Sequence, residues 1–286
     1  MFNLVTGLLN RFEKGLRAVR ESRAHASYIK NGRKPWIAGY HVEKTNVIRS
    51  AINDVSWDIK EIPKGYGCRL DERVVEYPWF FAQLPSGAGN LWDAGSVLNF
   101  DYAVTHPKVR EKNLSISTLG PESHAFWDRG VSYIYEDLRH TCFRDEYFDW
   151  VCSLSTIEHI GLDNRRFIPG DEARLESDPE SCFQAVSEFR RVLKPGGSLF
   201  LTMPFGRAKN HGWFQIFDSL MVDRVIEVFC PIKASESIYQ YAAEGWYCSS
   251  RERAADATFF DIHVRSDYDE DYAAGSRAVV CLELIK

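Results

Sequence analysis

The chain has 286 residues, 45% hydrophobic and 26% charged, the composition of one large globular fold with extensions. No apolar run approaches the ~20 residues that span a bilayer. The net charge of −5 is uneven: residues 1–34 carry eight Lys/Arg and two Glu, a net of +6, which leaves −11 on the remainder. A body this acidic argues against nucleic acid as a partner, because phosphate backbones are held by clustered cations. The seven cysteines form no Cys-x-x-Cys pair and are odd in number, so a reduced, cytoplasmic setting is expected rather than a disulfide framework or a zinc site.

Residues 2–28 place Phe2, Val5, Leu8, Leu9, Phe12, Leu16 and Val19 at helical spacing, with Arg11, Lys14, Arg17, Arg20 and Arg23 on the polar side. No small-residue cleavage site follows, so a signal peptide is not expected. The basic amphipathic helix over residues 1–34 has two readings. One is packing on the body or on a second subunit of a homo-oligomer. The other is peripheral contact with an anionic inner-membrane face. Residues 35–89 form an accessory region, rich in aromatics, with a turn at Gly65–Gly67 and a short helix predicted over Asp71–Leu84.

From residue 90 to 286 strand and helix patterns alternate. Strands are predicted at Asn90–Gly95, Leu114–Thr118, Val131–Tyr135, Phe148–Ser155 and Ser198–Met203, and the last two at Ala234–Tyr239 and Ala278–Ile285. Helices are predicted after the first strand toward Val109, over Glu180–Leu193 and over Phe217–Phe229, the second ending on a Lys-Pro-Gly-Gly turn at Lys194–Gly197. Such alternation implies an α/β fold with a parallel sheet and helices on both faces. Polar residues then collect at the strands' carboxyl ends, where open α/β sheets bind ligands.

Two stretches, YEDLRHTCFRDEYFDWVCSLSTIEHIG (Tyr135–Gly161) and EFRRVLKPGGSLFLTMPFG (Glu188–Gly206), resemble the second half of a class I S-adenosylmethionine-dependent methyltransferase domain, and the likeness spans roughly residues 90–286. It implies a Rossmann-like seven-stranded sheet with a final antiparallel hairpin, and S-adenosylmethionine as cofactor. It also implies roles for particular residues. Asp93, Ala94, Gly95 and Ser96 form the first strand-to-helix turn. Thr118 stands where the family has an acid for the ribose, with Glu122 four residues on. Asp137 and the amide of Leu138 face the adenine, and Ser153 and Ser155 lie beneath the sulfonium. Glu76 is expected to close over the methionine end. A nicotinamide is disfavoured, because DAGSVLN supplies one glycine where the dinucleotide fingerprint needs three.

Methyl transfer mainly requires alignment of the acceptor and removal of its proton. The candidates are Glu158 and His159, directly after the fourth strand; a structural histidine bonding a carbonyl is the alternative for His159. Some relatives bind a metal through an acid-x-x-Glu-His pattern. Ser155 occupies the acid's place here, so no metal is expected. Arg166, His211 and Trp213 are candidates for the acceptor pocket. The resemblance implies O-methylation of a small-molecule or glycan hydroxyl, in the setting of surface-polysaccharide assembly. A non-catalytic methyltransferase-like binding or scaffold protein is the rival, given the sparse glycine loop and the missing strand-two acid.

Overall fold

The computed structural model describes residues 2–168 and 170–286, with the side chains of residues 2–14 and 17 left out. Three helices precede the sheet: α1 (Phe2–Lys30), α2 (Tyr40–Asn53) and α3 (Arg73–Gln83). Then follow β1 (Asn90–Ala94), the short helices α4 (Asp101–Val104) and α5 (Pro107–Arg110), β2 (Asn113–Thr118), β3 (Ser132–Tyr135) and β4 (Phe148–Leu154). The second half comprises α6 (Cys182–Val192), β5 (Leu193–Pro204), the two-residue strands β6 (Lys209–Asn210) and β7 (Gln215–Ile216), α7 (Ser219–Phe229), β8 (Lys233–Ala242), β9 (Gly245–Ser249), α8 (Arg251–Ala254) and β10 (Ala278–Ile285).

The main sheet has the order β3-β2-β1-β4-β5-β10-β8-β9. Its first five strands are parallel, and β10 runs antiparallel to both β5 and β8. The expected seven strands are therefore present with their antiparallel end. An eighth, β9, pairs antiparallel with β8 at the edge; no strand is predicted there from the sequence. Chain order reverses direction at β1, which lies between β2 and β4, and the crevice beyond the strand ends at such a switch point is the usual ligand site.

Side-chain alternation along each strand divides the core into two layers. Leu91 and Phe200 face the layer that holds α3 and Tyr28, Tyr40 and Ile48. Trp92, Ala94, Leu199, Leu201 and Met203 face the layer built on α6 and α7. Phe183, Val186, Phe189 and Val192, at helical spacing, are all buried, as their periodicity predicts. The Lys194–Gly197 turn is absorbed into the start of β5, where Gly196 (φ 80°) donates its N–H to the carbonyl of Lys286 at 2.7 Å.

α3 is buried along most of its length although it contains Pro78. Proline has no N–H to give the carbonyl four residues back. That carbonyl, of Val74, instead accepts the Tyr66 hydroxyl at 2.6 Å. The accessory region thus packs into the same core layer as the sheet. The end of α1 joins it as well: Tyr28 is fully buried, and a Cβ on Gly39 (φ 93°) would stand 2.2 Å from the carbonyl oxygen of Ala24. Most of the apolar stripe expected on α1 lies outside the described side chains; of its last members, Leu16 and Val19 are exposed. No helix among the described residues is long and apolar enough to cross a membrane. All seven cysteines are free.

Candidate functional site

The carboxyl ends of β1 to β4 enclose a cavity of about 390 Å³. At the end of β1, Asp93 is fully buried and accepts the amides of Val97 at 3.1 Å and Leu98 at 2.7 Å. Burial pushes its carboxyl up to about 7, against the pull of those two amides. Asp93 therefore shapes the turn from behind and does not line the cavity. Gly95, which does, has φ 129°, and a Cβ there would meet the Thr156 hydroxyl at 2.3 Å. Neither steric room nor backbone conformation allows another residue. Ser96 follows at φ 62°, with its hydroxyl buried and unpartnered. The Ala94 carbonyl accepts the Ser153 hydroxyl at 2.9 Å. Those two residues tie β1 to β4 and stay out of the cavity wall.

Thr118 lines the cavity, as does Glu122, which accepts Asn99 Nδ2 at 2.7 Å. A carboxylate that the sequence reading missed stands beside them. Glu136, directly after β3, accepts the Ser117 hydroxyl at 2.7 Å and the Cys142 amide at 2.9 Å. Its own amide is bonded to the Thr118 carbonyl, so the neighbouring strand brings an acid to the end of β2. Asp137 and Leu138 also line the wall. Arg139 holds Asp137 through Nη2 at 2.6 Å and turns its other edge to Glu176 at 2.6–2.8 Å. Although burial opposes it, hydrogen bonding to Arg139 keeps the Asp137 carboxyl below its ordinary range.

Glu76 differs from its expected place. It is fully buried and lines neither this cavity nor its neighbour. Its Oε1 accepts the hydroxyls of Ser155 at 2.5 Å and Thr202 at 2.6 Å, and its Oε2 accepts Arg73 Nη1 at 3.1 Å. Arg73 also donates to the carbonyls of Leu154 at 2.7 Å and Ser155 at 3.3 Å. A buried carboxylate needs such donors, so Glu76 orients Ser155 and Arg73 and does not form a lid.

A second cavity of about 210 Å³ adjoins the first. Arg73, Ser155 and His159 border both. Glu158 and Trp213 line the second, together with Trp36, Lys44, Glu72, Phe259 and Asp261. His159 Nδ1 lies 2.8 Å from the Trp213 carbonyl. A carbonyl only accepts, so Nδ1 carries the proton and Nε2 keeps its lone pair. Burial lowers the imidazole to about 4, leaving it neutral at neutral pH. Glu158 is 2% exposed; its Oε1 lies 3.9 Å from His159 Nε2, and its Oε2 is buried without a partner. Desolvation drives the Glu158 carboxyl well above its ordinary range.

Two of the expected acceptor residues lie elsewhere. Arg166 lines neither cavity; its guanidinium sits 3.8 Å from the centre of the Trp213 ring. His211 stacks on Phe214 at 4.3 Å with its Nε2 buried, again outside both walls. The Trp213 ring also stacks on His159 at 5.2 Å, so its contacts are with protein and little of its face is free for a sugar. Arg73 and Thr156 also line the cavities and are not marked by the sequence pattern, whereas Asn164 opens the Asn164–Asp171 loop that the sequence offers for the acceptor pocket. Arg73 had one signal, its position three residues before Glu76 on a helix.

The family model described as methyltransferase domain matches residues 86–201. None of the curated proteins matches. Among solved structures, the chain is similar to 1,6-didemethyltoxoflavin-N1-methyltransferase of Burkholderia thailandensis, with 11% identity, 96% of this chain and 90% of that one covered, and a TM-score of 0.46. It is similar too to phosphoethanolamine N-methyltransferase 2 of Haemonchus contortus, with 12% identity, 72% and 51% covered, and a TM-score of 0.41.

Proposed function

We propose that this chain, whose residues 86–201 match a methyltransferase domain, is an S-adenosylmethionine-dependent methyltransferase of class I that O-methylates a small hydroxylated acceptor, a glycan unit or another small molecule, held in the 210 Å³ cavity. The 390 Å³ cavity suits the cofactor: Gly95 brings bare backbone to its wall at the end of β1, and Thr118, Glu122, Glu136 and Asp137 present polar groups to it. The residues that would hold the adenosine end are Thr118, Glu122, Glu136, Asp137 and Leu138, and Gly95 and Ser155 would flank the methionine end. Asp93, Ala94, Ser153 and Glu76 would act from behind the wall.

S-adenosylmethionine held by these residues would supply an activated methyl carbon for transfer to the acceptor oxygen. His159 takes the hydroxyl proton on Nε2, which its Nδ1–H bond to the Trp213 carbonyl keeps available. An imidazole held neutral by burial is a ready acceptor across the physiological range, though a weaker base than an exposed one. Arg73, fixed by Glu76, borders both cavities and orients what meets between them. The observation that carries this reading is that His159, with its lone pair on Nε2, stands in the wall shared by the two cavities.

The test has two arms. Calorimetry should show S-adenosylhomocysteine binding to the full chain; no heat at millimolar concentration would favour the rival, a binding or scaffold protein. With transfer measured from labelled cofactor, His159→Ala should lower turnover by roughly 10²–10⁴-fold while cofactor affinity stays nearly unchanged. Unaltered turnover would remove His159 from the reaction.

A further inference from the structure

The charges around the second cavity do not balance. Its two cations are already engaged: Lys44 with Asp71 at 2.7 Å, and Arg73 with Glu76 at 3.1 Å and two backbone carbonyls. Three further carboxyls line the same wall, Glu72, Glu158 and Asp261. Asp261 accepts Trp213 Nε1 at 3.3 Å and the His263 amide at 2.9 Å, and Glu72 accepts the Ser276 amide at 3.0 Å. Among the described residues none of the three has a cation within ion-pair distance, apart from the approach of Glu158 to the neutral His159 at 3.9 Å.

Glu158 is the informative member. It is 98% buried, it lines the cavity, and its Oε2 meets no donor. A buried carboxyl without a partner is costly, and each one in a native structure calls for an explanation, a group bound there being one. Trp36, Phe214, Phe259 and Phe260 add aromatic rings to the wall, beside Pro204 and Ile262. Burial raises Glu158 well above the ordinary carboxyl range and Glu72 to about 7, so each gains its charge against a bound cation; acid groups without counter-cations, set among aromatic rings, form a receptor for an organic cation.

We propose that the acceptor carries a protonated amine beside its reacting hydroxyl, as an amino alcohol or amino sugar does, and that Glu158, seconded by Glu72, receives that amine. This rests on the reading of the second cavity as the acceptor site. The 3.9 Å between Glu158 Oε1 and His159 Nε2 suits two functional groups on adjacent carbons, the amine bonded to the carboxylate and the hydroxyl facing the imidazole. Glu158 is then a specificity residue: it selects acceptors by charge, while His159 handles the proton.

The experiment uses the full chain saturated with S-adenosylhomocysteine, with glucosamine and glucose as a matched pair that differs at one amine. Binding is followed by calorimetry or ligand-observed NMR. Glucosamine should bind about tenfold or more tightly than glucose, the scale of one charge-assisted hydrogen bond. Glu158→Gln, which keeps shape and removes the charge, should abolish the preference; Glu72→Gln should reduce it and serves as the second variant if Glu158→Gln unfolds. Equal binding of the two sugars, no binding of glucosamine, or a preference that survives Glu158→Gln would overturn the proposal. Retained S-adenosylhomocysteine binding in those cases would leave the methyltransferase reading standing, and its loss in the wild-type chain would instead strike at that reading.

Discussion

Replacing Glu76 by alanine should destabilise the protein strongly from behind the 390 Å³ cavity. The carboxylate is fully buried and accepts three donors, from Ser155, Thr202 and Arg73. Hydrogen bonds to a charged acceptor contribute about 1.5–3 kcal/mol each, but the three share one group and do not add. Arg73 would keep its bonds to the carbonyls of Leu154 and Ser155, so its charge would not be left bare. The expected loss is therefore about 2–4 kcal/mol, toward the low side of what one-sided breaking of a buried pair costs. Glu76→Gln separates the contributions. Its amide oxygen can still accept both hydroxyls, while its NH₂ would face Arg73, for a loss of about 1–3 kcal/mol. Urea unfolding followed by circular dichroism and tryptophan fluorescence gives both values by linear extrapolation. A loss below about 1 kcal/mol for Glu76→Ala, or equal losses for the two variants, would refute the account of Glu76 as the anchor of Ser155 and Arg73.

Three further outcomes are expected. Asp137→Ala should weaken S-adenosylhomocysteine binding by about 1–3 kcal/mol in calorimetry; unchanged affinity would mean that Asp137 serves only Arg139. Asp93 has a folded-state pKa of about 7 against an ordinary 3.8, so the folded chain holds that proton more tightly. Its contribution to stability is complete below about pH 4 and is lost as pH rises through 7, and Asp93→Asn should flatten this component of the urea midpoint between pH 4 and 7. An unaltered profile would show that the two amide bonds offset burial. Finally, the full chain should sediment with anionic vesicles at low salt and be released at high salt, each nearby cation contributing about 1 kcal/mol. A chain beginning at Glu21 should not sediment, and one cut as late as Gly32 should lose stability, because Tyr28 is buried. Sedimentation of the Glu21 chain would end the membrane reading for α1.

The sheet was legible because its strands are short apolar runs between turn signals and because α6 repeats its apolar residues at 3.6-residue spacing. β9 is hard to read because it is only five residues long and its buried residues, Gly245 and Trp246, sit side by side with no apolar alternation. At the site, Gly95, Thr118, Asp137, Ser155 and His159 all line the cavities and stand at or within five residues of a strand's carboxyl end, the region that the strand pattern points to. Arg73, Glu76 and Glu136 could not be assigned in the same way. Their roles depend on where α3 crosses the end of β4 and on which strand neighbours β2, and no local pattern encodes either distance. Arg166 and His211 were misassigned for a related reason: nothing in a linear chain marks that a neighbouring aromatic ring will take up the side chain.

The last strand in sequence lies inside the sheet, not at its rim. During synthesis β5 emerges long before β10, its neighbour in the finished sheet. Until residues 278–285 leave the ribosome, β5 is an open edge of apolar strand, and the β8–β9 hairpin has nothing to dock on. The first five strands can assemble as a parallel unit while this half waits. Chaperones that shield exposed strand edges would therefore meet the nascent chain at β5, and a stall in translation before Ala278 would expose that strand for longest.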